Sequence, residues 1–173
     1  MSEQAVDFST GTNLGNMTGE AGINAVFDGN TNQGASASSQ RLAADGYAGR
    51  SFAAGKKFSR FTIHGTNDNG YTDTGGAGSV TITFYGKNGA PSSGTDGASL
   101  GVIGPFSDNV NESTGRSVNS TDQVTAYTHV WAYIADTGGT GAVRCAEILA
   151  WELVAAKGTV FRSPVIRGGQ RRN

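Results

Sequence analysis

Several stretches of the chain alternate apolar and polar residues with the period of two expected of a half-buried β-strand. In KKFSRFTIHG, Phe58, Arg60, Thr62 and His64 share one face, while Ser59, Phe61 and Ile63 share the other. SVTITFYGKNG, from Ser79, is β-branched and aromatic, and it closes on Asn88-Gly89, a strong hairpin signal. VTAYTHVWAYIAD, from Val124 to Asp136, reads as another strand. LGVIGPF is a short apolar run that Pro105 keeps from being a long central strand. VRCAEILAWELVAA has helix-forming Ala, Leu and Glu, but Val143, Cys145 and Ile148 beside strands that need a partner make it a strand. RLAADGYAGRSFAAG fits a short strand or a turn of helix. AGINAVF, Ala21 to Phe27, is the first apolar segment, and it runs into Asp28-Gly29 and a series of small amides. Long Gly/Asn/Ser/Thr stretches separate these runs, and no internal repeat is visible. The pattern predicts an all-β fold, a β-sandwich or jelly roll with function in its loops.

Composition narrows this reading. A chain of 173 residues is one domain with room for a core. It divides into a polar N-terminal segment (1–20), the sandwich (21–157) and a basic end (158–173). With 27 Gly but only 3 Pro, the glycines punctuate turns rather than build a linker or collagen repeat. Charged residues make up 16% and the net charge is -1, which argues against a nucleic-acid-binding surface. The single cysteine, Cys145, has no intramolecular disulfide partner and lies in an apolar run, as a buried thiol does. The N-terminus lacks the basic and apolar regions of a signal peptide, and no stretch is long enough to span a membrane. The last residues carry Arg162, Arg167, Arg171 and Arg172 and no acid; without those four, 9 basic residues face 14 acidic ones. A basic arm on an acidic body reads as a docking arm.

The order NAVFDGNTN, KKFSRFTIHGTND, VTITFYGKNG, HVWAYIAD and VRCAEILAWEL resembles the discoidin-like family, which comprises the coagulation-factor C-type domains and galactose-binding carbohydrate modules. The resemblance spans Ala21 to Leu153 and implies a galactose-binding-like β-sandwich. The chain departs from the family pattern in two places. No Trp follows the Asp-Gly turn, and Trp131 and Tyr133 occupy the strand where the family carries an Arg.

The resemblance also implies sites. In many relatives the Asp-Gly turn holds a structural calcium, which maps onto Asp28, Asn30 and Glu147, with Thr31 and nearby carbonyls as further oxygens. The alternative is a bare turn in which Asp28 and Glu147 bond only backbone amides. For a glycan, which needs planar hydrogen-bonding groups and an apolar face, the candidates are His64, Asn67, Asp68, Asn69 and Tyr71, with Tyr47 and Arg50 approaching from the preceding loop. His64 could equally be a locally bonded strand-end residue, and Tyr71 a loop anchor packed on the body. Trp131 and Trp151 read as core or sheet-packing residues. No nucleophile motif or metal-ligand cluster suggests an enzyme.

The function expected from sequence is a non-enzymatic carbohydrate-binding protein on the surface of a virion or phage-like particle, assembled in the cytoplasm. Such a head fibre, spike or tail-fibre component would attach to host polysaccharide through its loops. Its partners would be a cell-surface glycan, other virion subunits and further copies of itself, with no nucleic acid and no membrane insertion. The alternatives are a decoration or connector protein making only protein contacts, and a bacterial carbohydrate-binding module.

Overall fold

A computed structural model describes residues 1–72, 79–108, 111–138 and 141–155. The strands are β1 (Ser2–Ala5), β2 (Thr12–Gly15), β3 (Gly19–Glu20), β4 (Ser39–Arg41), β5 (Asp45–Lys56), β6 (Phe58–His64), β7 (Ser79–Lys87), β8 (Ala98–Ser107), β9 (Arg116–Asn119), β10 (Tyr127–Asp136), β11 (Val143–Cys145) and β12 (Glu147–Val154). They form a five-stranded sheet in the order β2-β5-β10-β7-β8 and a four-stranded sheet in the order β1-β12-β6-β9. A small third sheet, β11-β4-β3, lies at one end. Every pairing is antiparallel. The architecture is the all-β sandwich expected from the sequence.

The alternating strands place their apolar sets inward. Along β7, Val80, Ile82 and Phe84 are fully buried while Thr81, Thr83 and Tyr85 are half-buried on the outer face. On β6, Phe61 and Ile63 pair with Ala150 and Ile148 of β12 and point into the core. Phe61 stacks on Phe84 of the opposite sheet with centroids 4.5 Å apart, joining the two layers. From Phe61 a run of ring contacts continues through Phe58, Phe52 and Phe8 to Phe27. Each pair adds about 0.5–1.5 kcal/mol beyond the area it buries.

Three segments differ from the sequence pattern. AGINAVF ends in a 3-10 turn, Ile23–Phe27, rather than a strand. The ambiguous RLAADGYAGRSFAAG contains most of the longest strand, β5, whose glycines break the alternation. Gly49 is one reason: a Cβ there would sit 2.1 Å from the Val130 carbonyl and 2.4 Å from the Trp131 Cβ, so only glycine fits under the tryptophan. The final apolar run is a strand interrupted at Ala146, giving β11 and β12 in different sheets. Pro105 lies in β8, at the edge of its sheet, where a missing N–H costs no ladder bond. Residues 1–20 supply β1, β2 and β3, which pair with β12, β5 and β4.

Both tryptophans pack on outer sheet faces. Trp131 is 1% exposed and donates from Nε1 to the Gly94 carbonyl at 2.6 Å, under the loop that follows β7. Trp151 is half-buried on the four-stranded sheet, with the Arg60 guanidinium 3.9 Å from its ring centroid. The basic positions Arg162, Arg167, Arg171 and Arg172 lie outside the described residues. No helix among the described residues is long and apolar enough to cross a membrane.

Candidate ligand and cation sites at one end of the sandwich

β6 ends and β12 begins at the same end of the molecule, with His64 and Glu147 as register partners. Two loops meet there. The first follows the 3-10 turn and opens with Asp28, whose Oδ1 accepts from the Asn30 N–H at 2.8 Å. Asn30 repeats the device, its Oδ1 accepting from the Asn32 N–H at 3.1 Å. These short side chains outcompete extended backbone pairing and hold the chain in successive turns. The second loop follows His64 and closes on itself, the Thr66 N–H donating to the Gly70 carbonyl at 2.8 Å.

The two loops are joined. Both carboxylate oxygens of Asp68 accept from the Ala35 N–H, at 2.9 and 3.1 Å. Asn67 donates from Nδ2 to the Asn32 side-chain oxygen at 3.1 Å, and its N–H donates to the Gln33 carbonyl at 2.9 Å. Asp68 is exposed, and Asn67 and Asn69 are half-buried. Three of the sequence candidates, Asn67, Asp68 and Asn69, therefore share this surface with Asn30 and Asn32.

The others do not reach it as ligand groups. Tyr71 is fully buried, its hydroxyl donating to the Ile63 carbonyl at 2.8 Å and its ring edge-on to Phe106. Burial pushes its phenol well above the ordinary range. It is a core anchor, not a stacking platform. His64 is 7% exposed, with Nδ1 donating to the Ser113 carbonyl at 2.8 Å, so it is the locally bonded strand-end residue. Tyr47 is not in a loop; it lies within β5 opposite Tyr133, the two rings flanking Gly94. Arg50 is 8% exposed, bonded to the Asn13 side chain and lying 4.4 Å from the centroid of Phe27, and desolvation lowers its pKa. It closes the edge of the sandwich beside β2.

Sequence reasoning missed Gln33, Asp108 and Glu112. Gln33 is 2% exposed and bridges the first loop, donating to Asp28 Oδ1 at 2.7 Å and to the Ala25 carbonyl at 3.2 Å. Asp108 is 1% exposed and accepts from the N–H groups of Tyr71 and Thr72 and from the Thr72 hydroxyl. Glu112 holds Arg116 in a two-pronged pair at 2.6 and 3.0 Å. Each sits in a polar stretch without periodicity; only the excess of short polar residues in these loops marked the region.

The implied calcium can be tested against the oxygens present. Glu147 is 2% exposed, and its Oε2 accepts the Gly29 N–H at 3.0 Å. Burial pushes its carboxyl up to about 8, and the neighbouring Asp28 charge adds to the rise. The side-chain oxygen of Gln33 is buried without a hydrogen-bond partner. Two adjacent carboxylates and an orphaned amide oxygen suit a hard cation. Among the described residues no group of three or more His, Cys, Asp or Glu surrounds such a site, so carbonyls would complete the shell.

No protein-family model matches the sequence, and no curated protein matches it. Solved structures do share the fold. The family 32 carbohydrate-binding module of NanJ from Clostridium perfringens, in complex with galactose, is 16% identical, with a TM-score of 0.57 over 87% of this chain and 100% of that one. A factor 5/8 type C domain from Bacteroides fragilis is 12% identical, with a TM-score of 0.57 over 87% of this chain and 96% of that one. The fucolectin of striped bass (Morone saxatilis) serum is 13% identical, with a TM-score of 0.59 over 86% of this chain and 49% of that one. The chain thus has the discoidin-like, galactose-binding-like fold that the order of its motifs implies.

Proposed function

We propose that this chain is a non-enzymatic glycan-binding domain whose ligand surface is formed by residues 28–35 and 66–70. The observation that carries the reading is the joining of these two loops by Asp68–Ala35 and Asn67–Asn32 at one end of the sandwich. Solved structures of the same fold include a module in complex with galactose. Joined loops preorganise a surface rich in amides, and each amide offers a donor and an acceptor to neighbouring sugar hydroxyls. The charge favours a neutral sugar: Asp28 and Asp68 are exposed, whereas nearby Arg116 and Arg144 pair with Glu112 and Glu20. Replacing Asn67 and Asn69 together by alanine removes two amides and the Asn67–Asn32 link, and should weaken binding on a glycan array about tenfold or more while the sandwich still folds. Unchanged binding by that variant would overturn the assignment.

Calcium is part of the proposal. Asp28, Glu147 and the Gln33 side-chain oxygen would hold it, and it would lock the first loop. Adding calcium to chelator-treated protein should raise the melting temperature; if EDTA leaves it unchanged, the cation is absent from this chain.

The finer reading, attachment to a virion or phage-like particle, is supported by the basic arm on an acidic body. Deleting residues 162–173 should abolish incorporation into particles while the domain still folds. If the truncated protein is incorporated, the arm has no docking role.

A further inference from the structure

The chain contains two Asn-Gly pairs, Asn69-Gly70 and Asn88-Gly89, and the fold treats them differently. Asn88 sits after β7 with both ends of its amide held. Its Oδ1 accepts from the Thr128 N–H at 2.9 Å, and its Nδ2 donates to the Ala126 carbonyl at 3.1 Å. Asn69 is half-buried, and among the described residues its side-chain amide makes no hydrogen bond; only its backbone N–H is held, by the Thr66 hydroxyl at 3.0 Å. The following glycines differ in exposure, Gly70 being buried and Gly89 exposed, but their N–H groups are held alike. Gly70 N–H donates weakly to the Thr66 carbonyl at 3.3 Å, and Gly89 N–H to the Thr128 hydroxyl at 3.4 Å. Both glycines have positive φ and no Cβ to shield the nitrogen. The side-chain clamp falls on Asn88 alone.

We propose that Asn69 is a site of spontaneous deamidation, and that its conversion turns the ligand loop off. As the loop opens to solvent, the Gly70 nitrogen loses its proton to base and attacks the Asn69 side-chain carbon. A C–N bond forms, the C–NH2 bond breaks, and ammonia leaves with a proton from water. Water then opens the cyclic imide at either carbonyl, giving aspartate or isoaspartate without any change of oxidation state. Asn88 must first surrender two side-chain hydrogen bonds to bring its carbon to the attacking nitrogen; Asn69 surrenders no side-chain bond, only the burial of Gly70. The products matter because the loop is short. Isoaspartate reroutes the main chain through an added methylene inside the Thr66–Gly70 closure, where the Thr66 N–H and hydroxyl both bond the Gly70 carbonyl. Aspartate puts a second negative charge next to Asp68. Either product disturbs the register with which Asn67 and Asp68 grip the first loop. The consequence for binding rests on the glycan reading above; the chemistry does not.

The full chain is incubated at mildly alkaline pH and physiological temperature, then digested and mapped by mass spectrometry. The peptide containing Asn69 should gain the mass of an amide-to-acid conversion, as both aspartate and isoaspartate, faster than the peptide containing Asn88, whose two side-chain hydrogen bonds must first break. Equal rates, or an unmodified Asn69, would overturn the proposal. Samples of the parent chain withdrawn during the incubation should lose glycan-array signal in proportion to the Asn69 conversion that the map measures. A deamidated fraction that binds as well as fresh protein would leave the chemistry standing and overturn the switch. Fresh protein that binds no glycan would instead refute the function proposed above.

Discussion

Replacing Tyr71 by alanine lowers the melting temperature by roughly 10 °C, and any loss of glycan binding follows from the loss of structure. The ring is fully buried, and its hydroxyl satisfies the Ile63 carbonyl. Truncating a buried aromatic costs about 3–5 kcal/mol, and each kcal/mol shifts a domain of this size by about 2–4 °C. The loss reaches the site because Asp108 clamps the Tyr71 and Thr72 N–H groups, fixing where the loop after His64 ends. Tyr71→Phe separates the terms. It keeps the ring against Phe106 and removes one hydrogen bond, so it should cost only about 1–2 kcal/mol. Thermal unfolding of both variants alongside the glycan array decides the matter. Lost binding with an unchanged melting temperature would return the ring to the ligand surface.

Tyr71 illustrates what the sequence could and could not disclose. The strands of the sandwich were legible because burial of one face imposes a period of two, and KKFSRFTIHG and SVTITFYGKNG keep it without interruption. β5 was not, since Gly46, Gly49 and Gly55 interrupt its alternation of apolar and polar residues. Those glycines answer to contacts made across the fold, such as Trp131 over Gly49, which a local window does not contain. The short strands β1 to β3 are largely exposed and polar, and only their partners make them strands.

In the site, the residues read correctly as neighbours belong to one short loop, Asn67 to Asn69. Residue type alone could not tell a tyrosine aimed at solvent from one aimed at the core. Tyr71 and Tyr47 look equally suited to stacking, yet one fills the interior and the other flanks Gly94 on a sheet face. Arg50 likewise reads as a ligand group of the preceding loop, but the fold engages it with Phe27, Asn13 and Asn24. The pairing of Asp28 with Glu147 was different. It came from the family resemblance, across 118 intervening residues, and the fold brings Glu147 onto that turn, its Oε2 accepting the Gly29 N–H.

That contact leads to the other large effect, a stability that falls as pH rises. The Glu147 carboxyl is held at about 8 in the fold, against an ordinary carboxylate value near 4.5, chiefly by burial. The penalty falls on the ionised form. Below about pH 4.5 the group is protonated in both states and contributes nothing. Between about 4.5 and 8 the unfolded chain has lost the proton that the folded chain keeps, so stability declines by about 1.4 kcal/mol per pH unit. Above 8 the full cost, up to roughly 4–5 kcal/mol, is in place. Urea unfolding at pH 5, 6.5 and 8 in EDTA, which removes any cation from the carboxylates, should show this decline superimposed on the response of the other acids. Glu147→Gln keeps an acceptor for the Gly29 N–H but cannot ionise, so the variant should lose the decline and exceed the parent in stability at pH 8. If parent and variant follow the same pH profile, Glu147 ionises normally in the fold and the buried-acid description of this end of the sandwich is wrong.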